Sequence, residues 1–225
     1  MTDVRILATG LGFPEGPVAM PDGSVILTEI RNRRCARVTA DGKVSVFSDN
    51  GGGPNGLAVG PDGALYCTNN GGFAWRLEEN LFRPAMVSSD YVSGSIQRVD
   101  PKSGAVSVLY DRCGTNKLNG PNDIVFDSHG GFYFTDLGKT RARDRDNGVI
   151  YYALADGSRI VEVAGPALTP NGIGLSPDGA VLYIAETEPA RLWAFDLAAP
   201  GVAKWRPSKA TLRLSPAPQR TVWKS

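Results

Sequence analysis

The sequence predicts an all-β protein, a β-propeller built from repeated four-stranded units. Three observations support this prediction. An eleven-residue pattern occurs four times, beginning near residues 13, 53, 120 and 169. Turn dipeptides such as Asp-Gly separate short apolar runs, and the 27 glycines and 16 prolines among 225 residues exceed the roughly 12% of average usage. No segment sustains the 3.6-residue hydrophobic period of an amphipathic helix, so little helix is expected.

Each copy of the pattern contains a Pro-polar-small tripeptide, a short apolar run and a turn with glycine. Compact strand signals follow these turns at residues 24–29, 64–68, 131–135 and 181–186. Hairpin signals follow at residues 36–47, 95–110 and 149–163. Each unit therefore predicts four antiparallel strands in roughly 40–50 residues, the size of a propeller blade. The alternative is a β-sandwich with unrelated Pro-Asp-Gly turns, which would not repeat the tripeptide before each turn.

Two insertions interrupt the repeat. The second unit contains the extra residues 69–92, and the third contains residues 139–147, where arginines and aspartates alternate. The alternating charges of 139–147 predict a solvated loop, with a contact to substrate as the alternative.

We assign residues 1–203 to the propeller and residues 204–225 to a separate C-terminal tail. This tail has six basic residues, three prolines and no acidic residue, unlike a blade strand. Four blades are legible, whereas six blades of this size need on the order of 270 residues. We therefore expect that the reading frame is shifted or cut near Gly201 and that two blades are missing. Open blade edges would then favour a homo-oligomer.

Charge and composition argue against several classes of function. The 24 basic and 23 acidic residues nearly balance, so no basic field favours nucleic acid or an anionic membrane. Without a long apolar run or a signal-peptide pattern, the expected location is cytoplasmic. Cys35, Cys67 and Cys113 lack metal-ligand spacing and are expected to be reduced, buried thiols. The single histidine, His129, lies in a predicted turn, which argues against a histidine-dependent triad or zinc site.

The middle residue of the tripeptide is the candidate functional position, because the innermost strands of a propeller line one channel. This residue is Glu15 in the first unit and Asn55, Asn122 and Asn171 in the others. One carboxylate and several amide oxygens aimed at a common point suit Ca²⁺ best, with Mg²⁺ or Mn²⁺ as alternatives. The competing interpretation is an Asx turn at each asparagine, which explains Glu15 poorly.

These motifs also resemble a known family, the gluconolactonase/regucalcin (senescence marker protein) family, and its relative diisopropyl fluorophosphatase. The resemblance is carried by Phe-Pro-Glu-Gly-Pro at Glu15, Gly-Pro-Asn-Asp at Asn122, Pro-Asn-Gly-Ile at Asn171 and the segment 182–196. It covers about residues 10–198. It implies a six-bladed propeller with one divalent metal, usually Ca²⁺ and with Mg²⁺, Mn²⁺, Zn²⁺ or Fe²⁺ as alternatives, and hydrolysis of sugar lactones or related esters.

The resemblance implies roles for individual residues as well. Glu15, Asn122 and Asn171 would be metal ligands. The family has a further aspartate ligand that is also its usual general base, and this residue is not found here, which leaves Asp123 and Asp136 as candidates for the base. The candidates for substrate or outer-channel contacts are Asn55, Asn69, Asn70 and Asp136.

The expected function is hydrolysis of a small-molecule lactone or related sugar-acid ester. A cation would polarise the carbonyl group, and a carboxylate would activate water. The rival hypothesis is an incomplete propeller that binds a metal or a small molecule without turnover, because missing blades would leave the metal shell incomplete.

Overall fold

A computed structural model describes residues 4–204, which form strands, turns and loops without a helix. Four antiparallel sheets of four strands follow one another along the chain. The first sheet contains β1 (Pro14–Ala19), β2 (Val25–Glu29), β3 (Arg34–Val38) and β4 (Val44–Asp49). The second begins with β5 (Pro54–Val59) and β6 (Leu65–Asn69). A separate hairpin of β7 (Phe73–Glu78) and β8 (Leu81–Val87) then precedes its last two strands, β9 (Ser95–Val99) and β10 (Val106–Tyr110).

A short ribbon of β11 (Arg112–Cys113) and β12 (Asn116–Lys117) links the second sheet to the third. The third sheet contains β13 (Pro121–Phe126), β14 (Gly131–Asp136), β15 (Gly148–Leu154) and β16 (Ile160–Ala167). The fourth contains β17 (Pro170–Leu175), β18 (Val181–Glu186), β19 (Arg191–Ala199) and β20 (Val202–Ala203). The four predicted units are therefore confirmed as four sheets, each with the strand pattern of a propeller blade.

The tripeptide strand is the innermost strand of each sheet. In sequence order, β1 contacts β5, β5 contacts β13 and β13 contacts β17. The remaining strands of each sheet follow outward in antiparallel order. The turn glycines of the repeat adopt the expected backbone, with φ of 79° at Gly23 and 74° at Gly63, a region that glycine occupies without strain.

Apolar side chains pack between consecutive sheets. Ile26 of the first sheet shares one cluster with Leu57 and Val99 of the second. Larger rings fill the next interface, where Tyr66 and Phe132 have centroids 5.8 Å apart. Burying one such ring stabilises the fold by about 2–3 kcal/mol. Each sheet therefore depends on its neighbour for its core.

Every innermost strand is interrupted at the tripeptide. In the second sheet, Pro54 pairs with Asn69, and regular pairing resumes only at Leu57 with Cys67. A register shift occurs at the equivalent place in β1, β13 and β17. A β-bulge of this kind bends the strand and redirects a side chain out of the ladder. The irregularity therefore sets the direction of the middle tripeptide residue.

A threonine on the second strand joins each of the first three sheets to the next. Its hydroxyl donates to the backbone carbonyl of the middle tripeptide residue in the following sheet. The three bonds are Thr28 Oγ1 to Asn55 O (2.5 Å), Thr68 Oγ1 to Asn122 O (2.5 Å) and Thr135 Oγ1 to Asn171 O (2.6 Å). In the fourth sheet, Ala185 occupies the threonine position.

The same hydroxyl also satisfies a backbone group at the bulge. Thr68 Oγ1 accepts from Gly56 N at 2.7 Å, and Thr135 Oγ1 accepts from Asp123 N at 3.1 Å. The adjoining sheets approach so closely that a Cβ on Gly56 would lie 2.6 Å from the carbonyl oxygen of Asn122. Glycine beside Asn55 is therefore required for the contact between the second and third sheets.

Two sequence predictions concern the C-terminal tail and the absence of a membrane-spanning segment. The proposed tail at 204–225 falls outside the described residues, apart from Lys204. Within residues 4–204, no helix of the length and hydrophobicity needed to cross a membrane is present.

We expect Thr68→Val to lower the free energy of unfolding by about 1–3 kcal/mol, because valine has the same shape but leaves Asn122 O and Gly56 N without their buried partner. Urea unfolding followed by circular dichroism measures the change. Thr115→Val, at an exposed threonine, is the matched control and should change stability by less than about 0.5 kcal/mol. Equal stability of the two variants would contradict the role assigned to Thr68.

Candidate metal centre and substrate cavity

One cavity brings the four middle tripeptide residues together. Glu15, Asn55, Asn122 and Asn171 all line a space of about 280 Å³. This volume lies close to the lower end of the range for small-molecule sites. The four residues therefore converge as the repeat predicts, and they form much of the polar part of the cavity lining.

Glu15 is a carboxylate without a basic partner in the described chain. It remains exposed to solvent, but the surrounding protein removes enough water to raise the pKa of its carboxyl group. A hydrogen bond from the backbone of Gly16 lowers this pKa, and the negative charge of Asp123 raises it. A cation bound beside Glu15 would neutralise this repulsion.

The three asparagines of the cavity keep their side-chain amides free. Asn55 and Asn122 are buried, and Asn171 is half-buried. Within residues 4–204, hydrogen bonds at these residues use the backbone, and the side-chain amides have no partner in the protein. The Asx-turn interpretation requires such a partner, so it does not describe these residues.

The free amides face the cavity, where water or a bound group can meet their hydrogen-bonding needs. Carboxylate and amide oxygens are ligands that hard divalent cations prefer. Within the part of the chain that the structure describes, no group of three or more His, Cys, Asp or Glu side chains could hold a metal ion. The cavity lining instead offers one carboxylate and three amides, whose oxygens fit a divalent cation.

Asp123 occupies the position where the other three units have glycine. Its Oδ1 accepts from Ile124 N at 2.9 Å, and its Oδ2 accepts from Ile173 N at 3.1 Å, which ties β13 to β17. Burial raises the pKa of Asp123, and these two N–H groups lower it. Asp123 does not itself line the cavity, but it is a carboxylate of raised basicity within electrostatic range of Glu15.

The other lining residues form a largely apolar wall, which the sequence did not indicate. The β7–β8 hairpin supplies much of this wall. Phe13 contacts Trp75 with ring centroids 5.2 Å apart, and the guanidinium of Arg31 lies 3.4 Å from the centroid of Phe82, so the hairpin packs against the first sheet. The apolar lining residues are Phe13, Ile30, Phe73, Pro84, Ala85, Met86 and Leu137.

A second series of polar residues ends the second strand of every sheet. Each member is buried and accepts a backbone N–H from the loop before its own tripeptide. The four bonds are Gly12 N to Glu29 Oε1 (2.6 Å), Gly53 N to Asn69 Oδ1 (2.8 Å), Gly120 N to Asp136 Oδ1 (2.6 Å) and Leu168 N to Glu186 Oε1 (2.5 Å). These side chains hold the loops from which the innermost strands start.

Asn69 and Asp136 belong to this series and do not line the cavity. Asn69 also accepts from Gly71 N, and Asp136 accepts three backbone N–H groups in total. Burial raises the pKa of Asp136, while these N–H groups lower it. Because the side chains of Asn69 and Asp136 already bind backbone N–H groups, we do not include these two residues in the proposed site.

Comparison with known proteins identifies the family. A family profile described as the SMP-30/Gluconolactonase/LRE-like region matches residues 13–217. The chain belongs to this family. The resemblance stated from the sequence motifs is therefore confirmed.

Individual relatives agree with this assignment. A gluconolactonase from Zymomonas mobilis subsp. mobilis is 28% identical over 225 residues, covering 89% of this chain and 57% of the relative. A lactonase drp35 from Staphylococcus saprophyticus is 34% identical over 110 residues, covering 49% of this chain and 33% of the relative. The chain thus spans little more than half the length of the first relative and a third of the second.

Solved structures show the same fold. A gluconolactonase from Xanthomonas campestris superimposes with a TM-score of 0.69 at 25% identity, covering 89% of this chain and 63% of that one. A calcium-binding regucalcin from Agrobacterium tumefaciens superimposes with a TM-score of 0.63 at 21% identity, covering 88% and 59%. The all-β architecture predicted from the repeat is therefore confirmed.

The remaining sequence candidates lie away from the cavity. His129 is exposed in the turn between β13 and β14. Cys35 and Cys67 are buried free thiols, as expected, whereas Cys113 is only half-buried. Asn70 is buried behind the apolar wall, where its Oδ1 accepts from Gly72 N at 2.8 Å.

We expect Asp136→Asn to destabilise the fold by about 1–3 kcal/mol, because its amide nitrogen would face backbone N–H groups that now donate to a carboxylate. Thermal unfolding measures the loss. Asp49→Asn, at an exposed aspartate of β4, serves as the control and should leave stability unchanged. Unchanged stability of Asp136→Asn combined with loss of lactone turnover would instead support Asp136 as the general base.

Proposed function

We propose that the chain is a lactone hydrolase in which Glu15, Asn122 and Asn171 hold a divalent cation. The observation that carries this proposal is the meeting of one carboxylate and unpaired asparagine amides in a single cavity. Membership of the family, whose relatives include a gluconolactonase and a lactonase, supports the choice of substrate class.

Calcium is the cation that this donor set favours. All three side chains offer oxygen, and only Glu15 contributes a full charge, which matches the preference of Ca²⁺ for carboxylate and amide oxygens. The solved relative from Agrobacterium tumefaciens is described as calcium-binding, which supports the same choice. Mg²⁺ and Mn²⁺ accept the same ligand types and are the alternatives.

The cavity can orient a lactone between its polar and apolar sides. A cation bound there would polarise the lactone carbonyl. The free amide of Asn55 can hydrogen-bond to a ring or hydroxyl oxygen, because it lines the cavity beside the proposed ligands. Phe13, Phe73 and Met86 would exclude bulk water from the opposite face of the ring.

Asp123 is the carboxylate that we propose as general base. Its raised pKa suits proton abstraction better than that of an ordinary aspartate. A water molecule that donates a proton to Asp123 could attack the acyl carbon. The bond between that carbon and the ring oxygen would then break, and the ring oxygen would take the proton from Asp123 to become the hydroxyl of the ring-opened acid. Hydrolysis then consumes one water molecule and releases one hydroxy acid.

The competing proposal is a protein that binds a cation or a small molecule without turnover. It is favoured by one observation: among residues 4–204, Glu15 is the only carboxylate at a middle tripeptide position. If Glu15 is a cation ligand, catalysis depends on Asp123, whose two oxygens already accept backbone N–H groups.

Glu15→Gln tests the catalytic proposal. With D-glucono-δ-lactone as substrate and Ca²⁺ present, we expect the variant to lose turnover by about 100-fold, because a neutral side chain holds the cation poorly. Acid release in a pH-stat measures the rate, with and without a chelator. Glu162→Gln, at an exposed glutamate of β16, should retain the wild-type rate. Background rates in every sample would contradict hydrolysis and support the binding protein.

The pH dependence of cation binding follows from the raised pKa of Glu15. Because the cation binds the ionised carboxylate, we expect Ca²⁺ affinity to be constant above this pKa and to fall by up to about tenfold per pH unit below it. Titration calorimetry between about pH 4 and 8 measures the affinity. Glu15→Gln should bind weakly and without this dependence. Affinity that does not fall with acidification would rule out Glu15 as a ligand.

A further inference from the structure

Lys139 is a buried lysine directly behind the apolar wall of the cavity. Its side chain is only 2% exposed, although it belongs to the segment 139–147 whose sequence predicts a solvated loop. That prediction is wrong for this residue. The residues on either side of it, Gly138 and Thr140, line the cavity. Nothing in the proposed hydrolysis uses Lys139.

The side-chain amino group of Lys139 contacts the insertion that carries the β7–β8 hairpin. Its Nζ donates to the carbonyl oxygen of Gly72 at 2.9 Å and to Asn70 Oδ1 at 3.2 Å. It also lies 4.2 Å from the ring centroid of Phe73 and 5.2 Å from that of Tyr91. Gly72 immediately precedes β7, and Phe73 is its first residue and part of the cavity wall.

The residue after Lys139 holds the other end of the hairpin. Val87, the last residue of β8, donates its backbone N–H to Thr140 O at 3.2 Å. Two adjacent residues of the third sheet's insertion therefore contact both ends of a hairpin from the second sheet. Their own segment is fixed in turn, because Lys139 N donates to Asp146 Oδ2 at 3.1 Å.

The orientation of Asn70 also depends on Lys139. Asn70 Oδ1 accepts from both Gly72 N and Lys139 Nζ. Its Nδ2 is buried and has no hydrogen-bond partner in the described protein. An unpaired buried amide is unfavourable, but the reversed orientation would set Nδ2 against two donors. The lysine therefore fixes the loop that leads into β7.

We propose that Lys139 is a positioning residue that fixes the β7–β8 hairpin as a wall of the cavity and loosens it when its side chain takes up a proton. The consequence for lactone binding rests on the proposed function, since the wall belongs to the same cavity. The movement of the hairpin itself does not depend on turnover.

The burial of Nζ and the charges around it determine how the stability of the fixed hairpin depends on pH. Burial lowers the pKa of Lys139 to about 7, and the nearby charges of Asp136 and Asp146 raise it. Tyr91 faces the amino group from the insertion, and Arg141 pairs with Asp146. Among the described residues, no carboxylate lies within ion-pair distance of Nζ.

In the closed state the hairpin is in place and Lys139 is buried, and in the open state the hairpin is loosened and Lys139 is solvated. A solvated lysine has a pKa near 10.4, so Lys139 binds a proton more tightly in the open state than in the closed state. Between about pH 7 and pH 10, the open state is protonated and the closed state is not. The closed state therefore gains stability as the pH rises through this range. Below about pH 7 Lys139 is protonated in both states, so the stability of the closed state no longer changes with pH.

Hydrogen–deuterium exchange of peptides from residues 73–87 tests the proposal. The readout is the protection factor, the intrinsic exchange rate divided by the observed rate, between about pH 6 and 9. In the wild type we expect protection to be flat below about pH 7 and to rise above it by up to about tenfold per pH unit, the limit for one linked proton. Peptides from β2 and β6 in the same samples should show no such rise.

Three variants separate titration of Lys139 from other effects. Lys139→Met cannot titrate, and Lys139→Arg stays charged, so hairpin protection should be independent of pH in both. Lys117→Met, at an exposed lysine of β12, should behave as the wild type. If Lys139→Met does not fold, the pH dependence of hairpin protection in Lys139→Arg and in the wild type still tests the proposal. A flat wild-type profile, or a slope retained in either Lys139 variant, would overturn the proposal whether or not the protein hydrolyses lactones.

Discussion

The hydrogen bond from a second-strand threonine to the next sheet's backbone is the contact on which the site depends. Thr28, Thr68 and Thr135 each donate to a carbonyl oxygen that the bulge removes from the regular ladder. The bond joins neighbouring sheets at the channel and also meets the hydrogen-bonding need of that backbone group. The side-chain amide of the same asparagine is left free to face the cavity. A structural contact between sheets thus determines which polar groups remain available for a ligand.

Whether a polar side chain faces the cavity or binds backbone depends on the backbone groups beside it. Asn55 lies at a bulge whose backbone is satisfied by threonine, so its amide faces the cavity. Asn69, at the end of the next strand, lies beside the unpaired N–H groups of Gly53 and Gly71 and accepts from both. Asp136 and Asp123 differ only in degree, since three backbone N–H groups converge on Asp136 and two on Asp123.

The repeat made the fold and the convergence of Glu15, Asn55, Asn122 and Asn171 predictable, because equivalent positions in equivalent sheets must meet at one axis. The roles of Asn69 and Asp136 could not be deduced in this way. They depend on which loop N–H groups lie nearby, and a sequence pattern does not report this. The apolar wall and the burial of Lys139 were missed for another reason: both arise where two insertions without a repeat counterpart pack together. The alternating charges of 139–147 describe the exposed Arg143 and Asp144 well. They do not describe the half-buried Arg141, Arg145 and Asp146, or the buried lysine that begins the segment.

The proposed function depends on a divalent cation held by the free carboxylate and amides of the cavity. Anomalous X-ray diffraction from crystals grown with Mn²⁺ tests this proposed site, because Mn²⁺ accepts the same oxygen ligands and scatters anomalously. We expect one strong anomalous peak within ligand distance of Glu15, Asn122 and Asn171. A map with no peak in the cavity, or with peaks only elsewhere on the protein, would contradict it.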